Sequence, residues 1–181
     1  MNAPSHSAPS CSYAYVGPAH ILEAARGAPV GPAIRCRDDL LVWLKTAHHH
    51  DDDSPGWATY VVDLGGTLRL AHRRTEHVAC AGGESVLAAG EVEFALDGEV
   101  QFLSNNSSGY CPDVACLPAV LRALRVAGAG APDAFTVSVP FRRCDACGER
   151  CTVKDNFYFC DLCEAPLSEA WMRTGARWST R

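Results

Sequence analysis

The sequence lacks the short motifs that mark common nucleotide-binding and metal-dependent enzymes. It contains no G-x-x-x-x-G-K-[ST] phosphate loop, no G-x-G-x-x-G fingerprint and no H-E-x-x-H helix. It also has no H-x-E followed by P-C-x-x-C, which excludes a zinc deaminase on motif grounds. No apolar run approaches the roughly 20 residues of a membrane span, so no membrane partner is expected.

Positive charge is also scarce. The net charge is −5, and Lys45 and Lys154 are the only lysines among the 16 basic residues. Residues 141–181 carry a net charge of +1, whereas the first 140 residues carry −6. Because nucleic-acid binding depends on a basic surface, nucleic acid is not expected to be a partner.

The beginning of the sequence lacks the pattern of a secretory signal. Residues 1–10 are rich in Pro, Ser and Ala, with no basic segment followed by an apolar one. Ten cysteines can indicate a secreted disulfide framework, but 181 residues suffice to form a core without disulfides. We therefore expect a reducing, cytoplasmic location.

Four cysteines near the C-terminus carry the strongest positive signal. Cys144 and Cys147 form one C-x2-C pair, and Cys160 and Cys163 form another after twelve intervening residues. This spacing is typical of a tetrahedral four-thiolate zinc site. Four thiolates leave no open coordination position, so we expect one structural Zn²⁺. Cys151 is expected to be a spare thiol.

Hydrophobic periodicity and turn residues predict an α+β fold. Hairpins are expected around Leu64-Gly65-Gly66 and around Asp97-Gly98. Helices are expected over residues 19–26, 38–47 and 117–126. The expected fold is an antiparallel sheet with two or three helices plus a C-terminal four-cysteine zinc ribbon.

Composition and the predicted elements also suggest where the domains of the chain begin and end. Residues 1–18 are predicted to be a disordered tail and residues 19–140 an α+β domain. Residues 141–171 are predicted to be the zinc ribbon, followed by a tail over 172–181. A strand over 135–141 is expected to lead into the ribbon. Within the ribbon, residues 152–153 and 157–159 are expected to form a hairpin that joins the two cysteine pairs.

Beyond the cysteines, the polar loop that follows the second hairpin is the main candidate site. Residues 104–108 are all polar and precede Gly109 and Tyr110. Such a segment is either a ligand-binding loop on a rigid sheet or a plain turn whose side chains bond their own backbone. A site here would use His77, Glu91 and Tyr110 as catalytic residues, and Asn105 and Ser107 to bind the ligand.

His77 and Cys80 also suggest a nucleophile pair, but on a strand they would point to opposite faces. A buried cysteine and a hydrogen-bonded histidine are the simpler interpretation. Cys111 paired with His77 would be the thiol-enzyme version of the site. The run His48–Asp53 is expected to be a solvated loop.

The segment from His77 to Pro112 resembles segments of known bacterial proteins. The residues that carry the resemblance are Ala89-Gly90-Glu91 and Ser104-Asn105 to Tyr110-Cys111-Pro112. Together with the four-cysteine ribbon, it is similar to an uncharacterised, actinobacterial-type family of bacterial proteins. It also resembles segments of bacterial effector and polymorphic-toxin-like chains with the pattern Ser-Asn-x-Ser-Gly-His-Tyr-x-Pro. This chain has Ser108 and Gly109 where that pattern has Gly and His. The resemblance implies that residues 77–112 form a functional unit.

These features favour a cytoplasmic zinc-binding protein whose α+β domain binds a small-molecule ligand or a protein partner. The main alternative is an enzyme, a transferase or thiol hydrolase, using His77 with Tyr110 or Cys111. That alternative requires these side chains to lie within hydrogen-bonding reach of one another. A third hypothesis is nucleic-acid binding through the ribbon.

Overall fold

A computed structural model describes residues 11–47 and 56–169 of the chain. Residues 1–10, 48–55 and 170–181 lie outside the described residues, and with them lie the predicted His48–Asp53 loop and the C-terminal tail. None of the helices in the described part has the length and apolar character needed to cross a bilayer.

The centre of the molecule is a five-stranded antiparallel sheet with strand order β1-β3-β2-β4-β5. Its strands are β1 (Ala33–Ile34), β2 (Trp57–Asp63), β3 (Leu68–His72), β4 (Val86–Phe94) and β5 (Val100–Leu103). Among the described residues, four α-helices accompany it: α1 (Ala19–Arg26), α2 (Arg37–Ala47), α3 (His77–Cys80) and α4 (Leu117–Val126), and a 3-10 turn (Val114–Cys116) precedes α4. The α+β class is confirmed.

Both hairpins lie where the turn residues predict them. Strands β2 and β3 pair with Tyr60 opposite Leu70, and β4 and β5 pair with Val92 opposite Leu103. Gly66 and Gly98 have φ of 81° and 87°, in the left-handed region that glycine adopts without steric cost.

The central strand β2 is covered on both faces, because all residues from Ala58 to Val62 are buried. Thr59 donates hydrogen bonds to the carbonyls of Arg73 and Thr75, immediately before α3. Tyr60 points to the opposite face, near Cys116 at the start of α4. The sheet therefore lies between α3 on one side and α4 on the other, and α1 packs on α3.

Helix α3 corrects the expectation for His77 and Cys80. These residues lie on a single helical turn and not on a strand. The turn continues into Gly82 and Gly83, which both have positive φ. A four-residue helix is too short to produce the periodic pattern by which helices are predicted.

The predicted strand over 135–141 is also corrected. Only Val137 forms an isolated bridge, parallel to Ser104, and regular pairing begins at Phe141. The amide of Thr136 donates to the Leu103 carbonyl, and its hydroxyl accepts from the Leu103 amide. The segment therefore covers the edge of β5 without forming a sixth strand. At the other edge, β1 has only two residues.

Part of the predicted N-terminal tail is ordered. Tyr13 and Val86 exchange two backbone hydrogen bonds of 2.7 and 2.9 Å, and the Val16 amide donates to the Gly109 carbonyl. Tyr13 and Val16 are buried. Within the described residues, the chain therefore joins the fold from about Tyr13 onward, earlier than residue 19.

The C-terminal part forms a small unit that we call the cysteine module, residues 141–169. Strands β6 (Phe141–Arg143) and β7 (Arg150–Thr152) form a hairpin around the first cysteine pair. The predicted hairpin between the pairs is reduced to a turn at Lys154–Phe157 and isolated bridges. Phe141 packs with Val16 and Cys111 of the larger domain, so contacts cross the expected boundary at residue 140.

Candidate functional site

The two C-x2-C segments fold into matching turns. The Gly148 amide donates to the Cys144 carbonyl at 2.8 Å, and the Glu164 amide donates to the Cys160 carbonyl at 2.9 Å. Gly148 and Glu164 each stand four residues after the first cysteine of their pair, with φ of 78° and 60°. Each turn thus aims two thiols at one point, and the glycine suits this conformation better than the glutamate.

The four predicted ligands converge. The sulfurs of Cys144, Cys147, Cys160 and Cys163 all lie within 4.8 Å of one another. The Sγ–Sγ distance is 3.5 Å both for Cys144–Cys163 and for Cys147–Cys160. Zinc–sulfur bonds of about 2.3 Å in a tetrahedron separate the sulfurs by about 3.8 Å, so the arrangement fits a metal ion of that size. Two ligands are buried, Cys144 and Cys160, and two are exposed.

Cys160 is the ligand with the most hydrogen-bond support. Backbone amides of Cys163 and Leu162 lower the pKa of its thiol to about 6, which favours the thiolate that a metal requires. The buried Cys151 thiol lies 3.6 Å from the Cys160 sulfur. Cys151 does not belong to the mutually close group of four. It therefore neighbours the candidate metal centre without completing it.

A second group of polar side chains lies on the α3 face of the sheet; we call His77, Glu91 and Asn106 the polar cluster. The His77 Nε2 lies 2.9 Å from the Gly90 carbonyl oxygen. Because a carbonyl only accepts, Nε2 carries the proton and Nδ1 keeps its lone pair in the neutral ring. Burial lowers the pKa of His77, partly offset by the Gly90 hydrogen bond and the Glu91 carboxylate. Burial therefore favours the neutral form of the His77 ring.

Glu91 and Asn106 complete this cluster. The Asn106 side-chain amide donates to the Glu91 carboxylate at 3.3 Å. Asn106 is exposed, while His77 and Glu91 are half-buried. Within the described residues His77 Nδ1 has no hydrogen-bond partner, so the cluster presents an imidazole acceptor and a carboxylate together. Sequence reasoning selected the loop but did not single out Asn106.

Asn105 has a structural position and no free polar atom. Its Nδ2 donates to the carbonyls of Pro112 and Val139 at 2.9 and 2.8 Å, and its Oδ1 accepts from the Val139 amide at 2.7 Å. The residue is fully buried. Its amide thus joins the loop to the segment that leads into the cysteine module.

Ser107 and Tyr110 are also turned inward. The Tyr110 hydroxyl donates to the Glu84 carbonyl at 2.6 Å, and its ring meets Tyr15 edge-on. Burial raises the pKa of Tyr110 well above its ordinary value. The Ser107 hydroxyl is buried without a hydrogen-bond partner among the described residues. Neither side chain joins the polar cluster through a hydrogen bond.

Cys111 does not have the properties of a thiol nucleophile. Burial raises the pKa of its thiol to about 11, although Arg150 acts in the opposite direction. Its sulfur lies 3.2 Å from the Ser108 carbonyl. His77 forms no hydrogen bond with Tyr110 or Cys111 in the described part of the chain. The structure thus does not form the pairs on which the enzyme alternative depends.

Comparison of the chain with protein-family models, with curated protein sequences and with solved structures finds no significant match.

Proposed function

We propose that Cys144, Cys147, Cys160 and Cys163 hold one Zn²⁺ as the structural centre of a zinc ribbon. The convergence of four sulfurs within 4.8 Å supports this proposal. Soft thiolates in a tetrahedral set favour zinc over magnesium or calcium. Four protein ligands close the coordination shell, so the metal serves folding and not catalysis. The module has few other buried residues, chiefly Val153 and Leu167 together with the Cys151 thiol.

Native mass spectrometry of protein purified without a metal-affinity tag tests the zinc site. We expect one zinc per chain, and loss of zinc in Cys147→Ser and Cys163→Ser. Cys151→Ser is the matched control, because it removes a neighbouring thiol outside the close group of four. Retained zinc in both ligand variants, or iron with visible thiolate absorption in place of zinc, would contradict the proposal.

We further propose that the α+β domain binds a small-molecule ligand or a protein partner through the polar cluster. The supporting observation is that His77 Nδ1 has no hydrogen-bond partner among the described residues and that His77 feels the Glu91 carboxylate, which in turn accepts from the exposed Asn106. Two acceptors at a rigid sheet suit a ligand group that donates hydrogen bonds, such as an amine, a guanidine or a hydroxyl. The polar cluster replaces the site proposed from the sequence, which also included Tyr110, Asn105 and Ser107.

The same native spectra test ligand binding, since a co-purified molecule adds mass to the zinc-loaded chain. We expect a reproducible added mass that disappears in Glu91→Gln and His77→Ala. Glu93→Gln is the control, two residues along β4 on the same face and outside the cluster. An added mass that persists in the cluster variants would place the ligand elsewhere. Where no small molecule is retained, loss of a captured protein in the same variants is the expected result.

The cytoplasmic location and the relation to the actinobacterial-type family remain part of the proposal. All ten cysteines lie within the described residues and none is disulfide-bonded. This is compatible with a reducing compartment.

A further inference from the structure

The cysteine module exposes a pair of neighbouring phenylalanines whose rings are tilted by 37° to each other. Phe157 and Phe159 are 64% and 44% exposed, and their ring centroids are 4.9 Å apart. Leu162, in the second cysteine turn, is 68% exposed. We call these three residues the Phe157 surface. Large apolar side chains that are exposed next to one another commonly mark an interaction site.

The rings of Phe157 and Phe159 face outward because successive side chains of residues 157–159 point to alternate sides of the chain. Tyr158, between them, turns inward to pack on the module core, and Arg142 lies 5.7 Å above its ring. Arg142 also donates to the carbonyls of Ser168 and Glu169, which holds the end of the module on that side. Phe157 and Phe159 therefore point away from the module core.

Backbone hydrogen bonds hold the segment that carries these rings. The Phe157 amide donates to the Lys154 carbonyl, closing a turn in which Asp155 and Asn156 have φ of 51° and 58°. The Leu167 amide donates to the Tyr158 carbonyl, and the Cys160 amide donates to the Ala165 carbonyl. A partner that binds here meets a preformed surface and orders little additional chain.

Exposed aromatic side chains suit two classes of partner, single-stranded nucleic acid and protein, and the surrounding charge discriminates between them. Asp155, Asp161 and Glu164 are exposed and lie close in sequence to Phe157, Phe159 and Leu162, and Lys154 is the only basic residue between positions 154 and 164. A zinc ion with four thiolates adds about −2. Single-stranded nucleic acid also stacks on aromatic rings, but its binding requires a positive groove. A negative rim instead complements basic side chains.

We propose that the Phe157 surface docks a protein segment that carries an apolar or aromatic side chain flanked by arginine or lysine. The apolar group covers the phenylalanine pair, and the basic groups meet Asp155, Asp161 and Glu164. The inference rests on the proposed zinc site, because the metal joins the two cysteine turns that frame the surface. It is independent of the polar cluster on the sheet.

Selection of random linear peptides displayed on phage against the zinc-loaded protein tests this inference. We expect enriched peptides that combine basic and apolar residues, with affinity at least tenfold lower for Phe157→Ser/Phe159→Ser. Asp161→Asn/Glu164→Gln should lower affinity severalfold, and added salt should have the same effect. Leu64→Ser is the matched control, since Leu64 is an exposed apolar residue on the distant β2–β3 hairpin.

Zinc content of each variant is measured first, so that loss of the module is distinguished from loss of the surface. No enrichment by zinc-loaded protein, or enriched peptides that bind the double phenylalanine variant equally well, would overturn the proposal. Binding of an oligothymidine probe that depends on Phe157 and is stronger than peptide binding would overturn it in favour of nucleic acid.

Discussion

At the scale of single residues, Asn105 shows how a polar side chain in a candidate ligand loop can serve the fold. Its amide pairs with both backbone groups of Val139, 34 residues away, as a strand residue would. A buried carbonyl or amide that loses its partner costs about 1–3 kcal/mol. The hydrogen-bonding capacity of Asn105 is therefore used for stability and is not available to a ligand.

We expect Asn105→Ala to destabilise the protein by about 2–4 kcal/mol, because three hydrogen bonds are lost, one to the buried Pro112 and two to the half-buried Val139. Urea unfolding of the zinc-loaded protein measures this change. Asn106→Ala, an exposed neighbour, is the control and should change stability by less than about 0.5 kcal/mol. Equal effects of the two substitutions would show that Asn105 does not join the loop to Val139 in solution.

At the scale of elements, β4 is the strand on which the candidate ligand site depends. It pairs with β2 and β5, carries Glu91, and places the Gly90 carbonyl beside His77. On its other face, the Gly90 Cα lies against the backbone of Ser104 and Asn105. A side chain at position 90 would overlap the Ser104 carbonyl oxygen, which also accepts from the Tyr60 hydroxyl.

Gly90→Ala should therefore displace the start of the polar loop and cost at least about 2 kcal/mol, as overpacking of a core does. Urea unfolding gives the stability, and amide chemical shifts of residues 104–112 report the displacement. Gly27→Ala is the control, because a methyl group there meets only the Ala24 carbonyl at 3.8 Å. An unchanged stability of Gly90→Ala would contradict the close approach of these backbones.

A helix or strand can be predicted from the sequence when the interactions that form it are local, and cannot when they join residues distant in sequence. The periodic spacing of Leu117, Val120, Leu121 and Leu124 predicts α4 over the residues it occupies, and Asp97-Gly98 predicts its hairpin. The C-x2-C spacing likewise predicts all four converging thiols. By contrast, α3 is too short for a periodic signal, and the alternation over 135–141 does not reveal that Asn105 and Thr136 replace strand pairing. The inward turn of Tyr110 and Ser107 also depends on contacts distant in sequence.

At the scale of the whole molecule, three buried thiols outside the cysteine module make stability depend on pH in the alkaline range. Burial raises the pKa of Cys80 and Cys116 to about 12 each, and that of Cys111 to about 11. The unfolded chain releases these protons near pH 9, whereas the folded protein retains them. Since the folded state then binds more protons, the contribution of these thiols to stability is constant below about pH 8 and falls above pH 9.

We expect the free energy of unfolding to fall by up to about 1.4 kcal/mol per pH unit for each buried thiol between pH 9 and 11. Urea midpoints of zinc-loaded protein under reducing conditions measure the slope. Cys111→Ala should reduce the slope by one thiol's share, whereas Cys36→Ala, at an exposed position, should leave it unchanged. A slope that Cys111→Ala does not alter would show that this thiol ionises freely in the folded state.

The two edges of the central sheet bear on how this protein behaves at high concentration. One edge strand, β1, has two residues, and the other, β5, is covered by the Thr136–Val137 segment. Neither edge offers a long row of free amides and carbonyls onto which a strand of another molecule can add. Addition of a foreign strand at the β5 edge therefore first requires local opening of the 136–137 segment, so this short segment acts as a guard against β-aggregation on that side.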